Sequence, residues 1–206
     1  VLGCLSLGYP LVVIGQKMVS GIDSFLLIAV PLFILAGNLM NAGKITEKIF
    51  DTAKELVGWI PGGLGHANVV ASIIFAGMSG SALADTGGIG AIELKAMKDQ
   101  GFDEDFSAAI TGASSCLGPI IPPSTGMVLY AMMAEESVGT LFIAGVLPGI
   151  IMAAAMCLIV YITAKRRNYP ISPRVTWKER GRAFWRAVPA LLSPIILLSG
   201  ILLGIF

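Results

Sequence analysis

Long apolar stretches alternate with short polar connections along this chain, and two of the stretches are broken from within. Residues 1–14 are apolar, with Pro10 among them, and read as the end of a hydrophobic helix. A polar connection follows at 16–24. Residues 24–43 carry no charge and match the roughly 20 apolar residues that cross a hydrocarbon core, with Asn38 and Asn41 near their end. Residues 44–57 change character. Ile45, Ile49, Ala53 and Leu56 fall on one helical stripe, and Lys44, Glu47, Lys48, Asp51, Lys54 and Glu55 take the other positions. The pattern predicts an amphipathic helix on the membrane surface, or a solvated connector helix, ended by Pro61-Gly62-Gly63.

Apolar character returns at 64–79, is interrupted by SGSALAD from Ser79 to Asp85, and resumes over 86–97. Residues 106–134 are uncharged but contain GPIIPPS from Gly118 to Ser124, with Glu135 and Glu136 at the far end. The stretch 138–164 reads as an ordinary span, and its Gly145 and Gly149 carry little weight as a packing signal. Residues 174–187, with Trp177, Phe184 and Trp185 suited to the headgroup level, predict a second surface helix before a further span at 188–206.

The segment 64–99 has two possible topologies. It could span the bilayer and deliver Asp85 to the far side, or turn at Gly80-Ser81 and return as a re-entrant hairpin with arms too short to cross. Basic residues decide, because lysine and arginine concentrate in cytoplasmic loops. The hairpin puts every lysine and arginine except Lys17 on one side, including the basic loop 165–186. The spanning alternative would export Lys95, Lys98 and that whole loop.

Composition agrees with a polytopic membrane protein: 55% of the 206 residues are hydrophobic and 13% charged, against about 25% charged in soluble domains. The net charge of +1 gives no reason to expect nucleic acid. Cys4, Cys116 and Cys157 offer neither a disulfide framework nor metal spacing. The chain opens at Val1 and stops at SGILLGIF, both inside apolar segments, so the expectation is a fragment of a longer protein.

The two interruptions carry the candidate chemistry. Irregular backbone at membrane depth survives only where protein buries it or where it lines a cavity, and transporters build ion and substrate sites from such breaks. Pro119, Pro122 and Pro123 are expected to release the carbonyls of Ser115, Gly118 and Pro119. Sodium would take backbone and hydroxyl oxygens from Ser79, Gly80 and Ser81 at the hairpin tip, and from Ser114, Ser115, Gly118 and Pro119 at the second break. Ala82, Asp85, Pro122, Pro123, Ser124 and Thr125 are candidates for substrate binding or coupling. Helices starting near Ala84 and Pro123 would present positive ends to an anion. The competing reading makes both breaks packing kinks. Asp85, read as the only deep acid, is a functional candidate or a helix cap.

Enzymatic readings are weak. An aspartyl protease needs two opposed aspartates, a serine protease needs a base near Ser115, and His66 is expected at the interface near the hairpin's base. SGSALADTGGIG lacks the lysine and Ser/Thr of a phosphate-binding loop.

VPLFILAGNLMNAGKI, GGLGHANVVASIIFAGMSGSALAD, GASSCLGPIIPPS and LFIAGVLPG together resemble the large permease subunit of tripartite ATP-independent periplasmic (TRAP) transporters, in order and spacing, over essentially the whole chain. The resemblance implies an all-α, elevator-type fold of inverted repeats, each with a re-entrant hairpin and a broken helix. Residues 1–63 and 137–206 would then be scaffold. Residues 64–136 would belong to the transport domain, with the hairpin at 64–99 and the broken helix at 105–135. It further implies a sodium-coupled importer of C4-dicarboxylates, sialic acids or similar carboxylates in the bacterial inner membrane. Its partners would be a small membrane subunit, separate or fused, and a periplasmic substrate-binding protein. The second hairpin and second broken helix are missing from this stretch, and Cys116 offers no clear oxygen ligand at its position. Two alternatives stay open: a proton-coupled anion carrier using Asp85, and a non-transporting membrane scaffold.

Overall fold

The computed structural model describes residues 45–172 continuously, with isolated positions on either side. The expected spans at 1–14, 24–43 and 188–206, and the surface helix at 174–187, lie outside the continuously described residues. Among the described residues every regular element is helical: α1 Ile45–Val57, α2 Gly63–Ser79, α3 Ala82–Gly88, α4 Gly90–Asp99, α5 Glu104–Ser115, α6 Thr125–Ala134 and α7 Val138–Arg167.

The stripe on α1 is real, but protein covers it rather than lipid. Ile49 and Ala53 are fully buried and join one core with Leu64 and Phe75 of α2. The charged positions of α1 remain largely outside. Gly62, at φ +77, then reverses the chain into α2; a Cβ there would meet the Ala164 methyl of α7 at 2.6 Å. Glycine satisfies both the backbone conformation and the close approach.

Helix α2 is buried along most of its length and ends at Gly80, whose left-handed φ of 57 lets its N–H reach the Ala76 carbonyl. The chain doubles back through α3 and α4. Asn68, near the start of α2, lies 3.9 Å from the Met97 sulfur near the end of α4, which makes the two arms antiparallel. At 1.5 Å per residue, α2 is about 26 Å long.

The apolar segment after it comes in two helical pieces, α5 and α6, separated by residues 116–124. Short turns fill that gap. The Ser115 carbonyl accepts from the Gly118 N–H at 3.1 Å, and the Pro119 carbonyl accepts from the Ser124 hydroxyl at 2.7 Å. Two of the three carbonyls expected to be released by proline are therefore paired. The tight turns and a serine hydroxyl supply the donors that the prolines remove.

Helix α7, with 30 residues, is the one described helix long and apolar enough to cross a membrane. Its length is about 45 Å. Gly145 and Gly149, given little weight from spacing alone, prove to be the contact points with the break. A Cβ on Gly145 would lie 2.5 Å from the Ile120 carbonyl oxygen, and one on Gly149 would lie 2.5 Å from the Ile121 side chain. At its other end α7 packs through Val160 and Ala164 on Gly62 and Gly65. The break and the base of the hairpin are thus held apart by the rise of α7 from Ala164 to Gly149, about 22 Å.

Three turns gather at the base. The Gly58 carbonyl accepts from the Ser172 N–H at 3.1 Å, Lys98 pairs with Glu104 at 2.5 Å, and Arg167 pairs with Asp103. Tyr169 donates to the same Asp103 carboxylate at 2.6 Å and packs on the rings of Phe102 and Phe106.

Candidate functional site

The two interruptions meet. The Thr125 hydroxyl donates to the Gly80 carbonyl at 3.1 Å, joining the first turn of α6 to the hairpin tip. The approach is close on both sides. A Cβ on Gly80 would sit 2.7 Å from the Pro123 carbonyl oxygen and 2.9 Å from the Thr125 nitrogen. A Cβ on Gly118 would lie 3.1 Å from the Ser81 carbonyl carbon and 3.3 Å from the Ala82 nitrogen. Glycine at both positions lets backbone pack on backbone, bringing carbonyl dipoles from two segments into one small volume.

Serine starts each returning helix. Ser81 accepts from the Ala84 N–H at 3.4 Å; Ser124 accepts from the Met127 N–H at 3.2 Å and is itself buried. These caps satisfy orphan donors of the first turns. They set the helix starts at Ala82 and Thr125 rather than near Ala84 and Pro123. Pro122 and Pro123 are buried and joined by a cis peptide, and Pro119 is exposed.

Behind the tip runs a buried polar seam. Asn68 donates to the Thr111 hydroxyl and accepts from the Ser114 hydroxyl, each at 2.7 Å, tying α2 to α5. Ser115 donates to the Thr111 carbonyl at 2.8 Å. The hydroxyl protons of Ser114 and Ser115 are thus committed within the protein, and both can face an ion only through lone pairs.

Asp85 is fully buried on α3, flanked by the Ser72 and Ser115 hydroxyls. Neither closes a hydrogen bond of good geometry to it, so both carboxylate oxygens lack a partner. Its side chain does not cap α3; Ser81 fills that role. The Ser72 and Ser79 hydroxyls are buried and equally unpartnered.

Asp85 is not the only deep acid. Glu93 of α4 is also fully buried, within the field of Asp85, and its carboxylate oxygens have no partner. Its place in the chain reads as near-surface, yet Ile89, Glu93 and Met97 recur at helical spacing, and all three are buried. That spacing is the signal that identifies it. Asn68 and Ser72 have a similar signature: with Ser79 they recur along one face of α2 inside an apolar run.

His66 lies at the first turn of α2, at the hairpin's base, buried by protein with its ring turned to the Pro61 carbonyl. Cys116 is exposed and donates to the Gly112 carbonyl.

A family model described as the DctM component of tripartite ATP-independent periplasmic transporters matches residues 2–206. Over 191 residues the chain is 48% identical to the sialic acid TRAP transporter permease protein SiaT of Haemophilus influenzae, covering 93% of this chain and 31% of that protein. It is 46% identical to the sialic acid large permease SiaM of Vibrio cholerae, covering 93% and 45%. To the C4-dicarboxylate large permease DctM of the same organism it is 40% identical over 182 residues, covering 88% and 40%. The chain spans less than half the length of these relatives.

Proposed function

We propose that this chain, which belongs to the DctM family of tripartite ATP-independent periplasmic transporters, contributes one hairpin and one interrupted helix to a sodium-coupled permease for organic acids in the bacterial inner membrane. The contact that carries this reading is the Thr125 hydroxyl on the Gly80 carbonyl. A bare alkali cation needs several oxygens to replace its water shell, and unwound backbone supplies them without burying a full charge. In this reading the ligands come from the region where the tip meets the second break: the carbonyls near Gly80, Gly118 and Pro119 and the oxygens of Ser79, Ser81, Ser114 and Ser115. A sodium ion held there would fasten the hairpin to the break and so couple ion occupancy to the shape of the adjacent substrate region.

Ala82, Asp85, Pro122, Pro123, Ser124 and Thr125 border that junction and are the positions at which this half would meet substrate or transmit coupling. The rest of the substrate cavity belongs to the part of the permease beyond this stretch. Sialic acid is the first substrate to test, because the sialic acid permeases are more similar to this chain than the C4-dicarboxylate one. Both carry carboxylates. The small membrane subunit and a periplasmic binding protein complete the proposed machine.

The test is uptake of radiolabelled sialic acid and C4-dicarboxylates into liposomes bearing the intact permease complex. Binding protein is added outside, and an inward sodium gradient is imposed or withheld. Uptake that needs both sodium and binding protein supports the reading. Uptake driven by a proton gradient without the binding protein would overturn it. Within a sodium-dependent system, Ser81→Ala and Ser115→Ala should each weaken sodium dependence; unchanged dependence in both would remove the tip from the ion site.

A further inference from the structure

Two carboxylates and a serine hydroxyl lie buried behind the hairpin tip with no hydrogen-bond partner among the described residues. Asp85, Glu93 and Ser72 are each fully buried, and both carboxylates and the hydroxyl lack a hydrogen-bond partner. Ser72, from α2, flanks Asp85 of α3, and Glu93 of α4 lies in the field of the same carboxylate. A lone buried charge is strongly unfavourable, and two of the same sign more so. Among the described residues no lysine or arginine is buried to relieve them. Among the described residues His66 is the only basic side chain that is buried, and its ring turns to the Pro61 carbonyl.

From this arrangement we propose that Asp85, Glu93 and Ser72 form a second cation site among α2, α3, α4 and α5, adjoining the junction at Gly80 and Thr125 through Ser115 but with ligands of its own. The donor set is all oxygen, which suits a hard cation. No cluster of three or more His, Cys, Asp or Glu occurs among the described residues, so a transition-metal centre is not indicated. The cation is sodium, and in naming it the inference rests on the sodium-coupled reading above. The role differs from that of the tip. A cation there neutralises the interior of the hairpin and holds α3 and α4 against α2 and α5, so the tip is presented in one position.

The experiment uses the purified full-length permease complex, with sodium chloride titrated against choline chloride at constant ionic strength. Thermal unfolding and equilibrium binding of radioactive sodium are both read. In the wild type, sodium raises the unfolding temperature. Glu93→Gln keeps the shape and removes the charge. It should raise the half-saturating sodium concentration about tenfold, as loss of a metal-site partner commonly does, and reduce the bound sodium count by one. Ser72→Ala retains both carboxylates and should raise half-saturation in the same direction, which decides the matter if Glu93→Gln does not fold. Thr125→Val, at the tip, should weaken sodium binding without abolishing the Glu93-dependent ion.

An unchanged sodium titration and count in Glu93→Gln, or in Ser72→Ala where that variant decides, would overturn the second site and leave the tip site standing. If the wild type shows no sodium-dependent stabilisation or binding, the sodium-coupled reading fails, and this inference fails with it.

Discussion

At the scale of single residues, Gly80 and Asn68 make opposite kinds of contribution. Gly80 matters for what it lacks. Any Cβ must adopt a left-handed backbone, costing about 1–2 kcal/mol, and must also displace the Pro123 carbonyl from 2.7 Å. Gly80→Ala should therefore lower the unfolding temperature of the full permease and weaken sodium-dependent uptake together; a variant with normal uptake would show that the tip tolerates displacement. Asn68 matters for what it satisfies. Asn68→Ala leaves the buried Thr111 and Ser114 hydroxyls short of partners, a loss of about 1–3 kcal/mol. Unfolding of the complex in denaturant would measure it. The sequence made the first residue legible and not the second. A glycine between two serines in an apolar stretch announces a turn, whereas one asparagine among valines and alanines is noticed only when its helical neighbours are lined up with a polar stripe on another helix. Glu93 was obscured for a related reason. Flanking lysines gave its segment a surface character, and the packing of α4 on α5 at Gly90 and Thr111 decided otherwise.

At the scale of elements, α7 acts as the ruler for the rest. Its N-terminal half receives the break at Gly145 and Gly149, and its C-terminal half receives the start of α2. Gly145→Leu should force the break away from α7, because the new side chain must start 2.5 Å from the Ile120 carbonyl. Overpacking of this kind costs about 1–3 kcal/mol. The expected result is a lower unfolding temperature with weaker uptake, while Gly112→Ala, at an open position, should change neither. The opposite end of α7 is held by charge. The Tyr169 hydroxyl and the Arg167 guanidinium beside Asp103 hold that carboxyl below the usual range, while burial and the Asp103 carboxylate push the Tyr169 phenol up. A lowered acid contributes its stability above its unfolded value and loses it as pH falls through the folded one; a raised phenol loses its contribution only as pH rises through its folded value. The destabilisation caused by Asp103→Asn should thus be constant from about pH 5 to 9 and shrink below about pH 4, as melting curves across pH would report. Elements were the most legible level, since glycine, proline and charge mark their ends. Their partners were less so: the apolar stripe of α1 does not say whether lipid or α2 will cover it.

At the scale of the whole molecule, the sorting of charge and the contacts of the fold make one statement about sidedness. The turns at Gly58, Lys98 and Asp103 gather around the basic end of α7, where Lys165, Arg166 and Arg167 close the helix. The hairpin tip reaches the break instead of that end. Measured along α7, the break contacts lie about 22 Å from the base contacts, with about 16 Å of helix continuing beyond Gly149 to Val138. If α7 crosses the bilayer, its basic end takes the cytoplasmic side, and the antiparallel contact of Asn68 with Met97 returns Lys95 and Lys98 to the side from which α2 starts. The consequence is testable without knowing the substrate. In the full permease stripped of reactive cysteines, single cysteines replacing Glu55, Lys95 and Arg166 should all react with a membrane-impermeant maleimide from the cytoplasmic face only. A cysteine at Glu136, beyond the end of α6, should react only from the periplasmic face. Labelling of the Lys95 position from the periplasm, with Glu55 remaining cytoplasmic, would make 64–99 a spanning segment. It would separate the hairpin geometry from its placement in the membrane, and with that remove the mid-depth junction on which ion coupling through Gly80 and Thr125 depends.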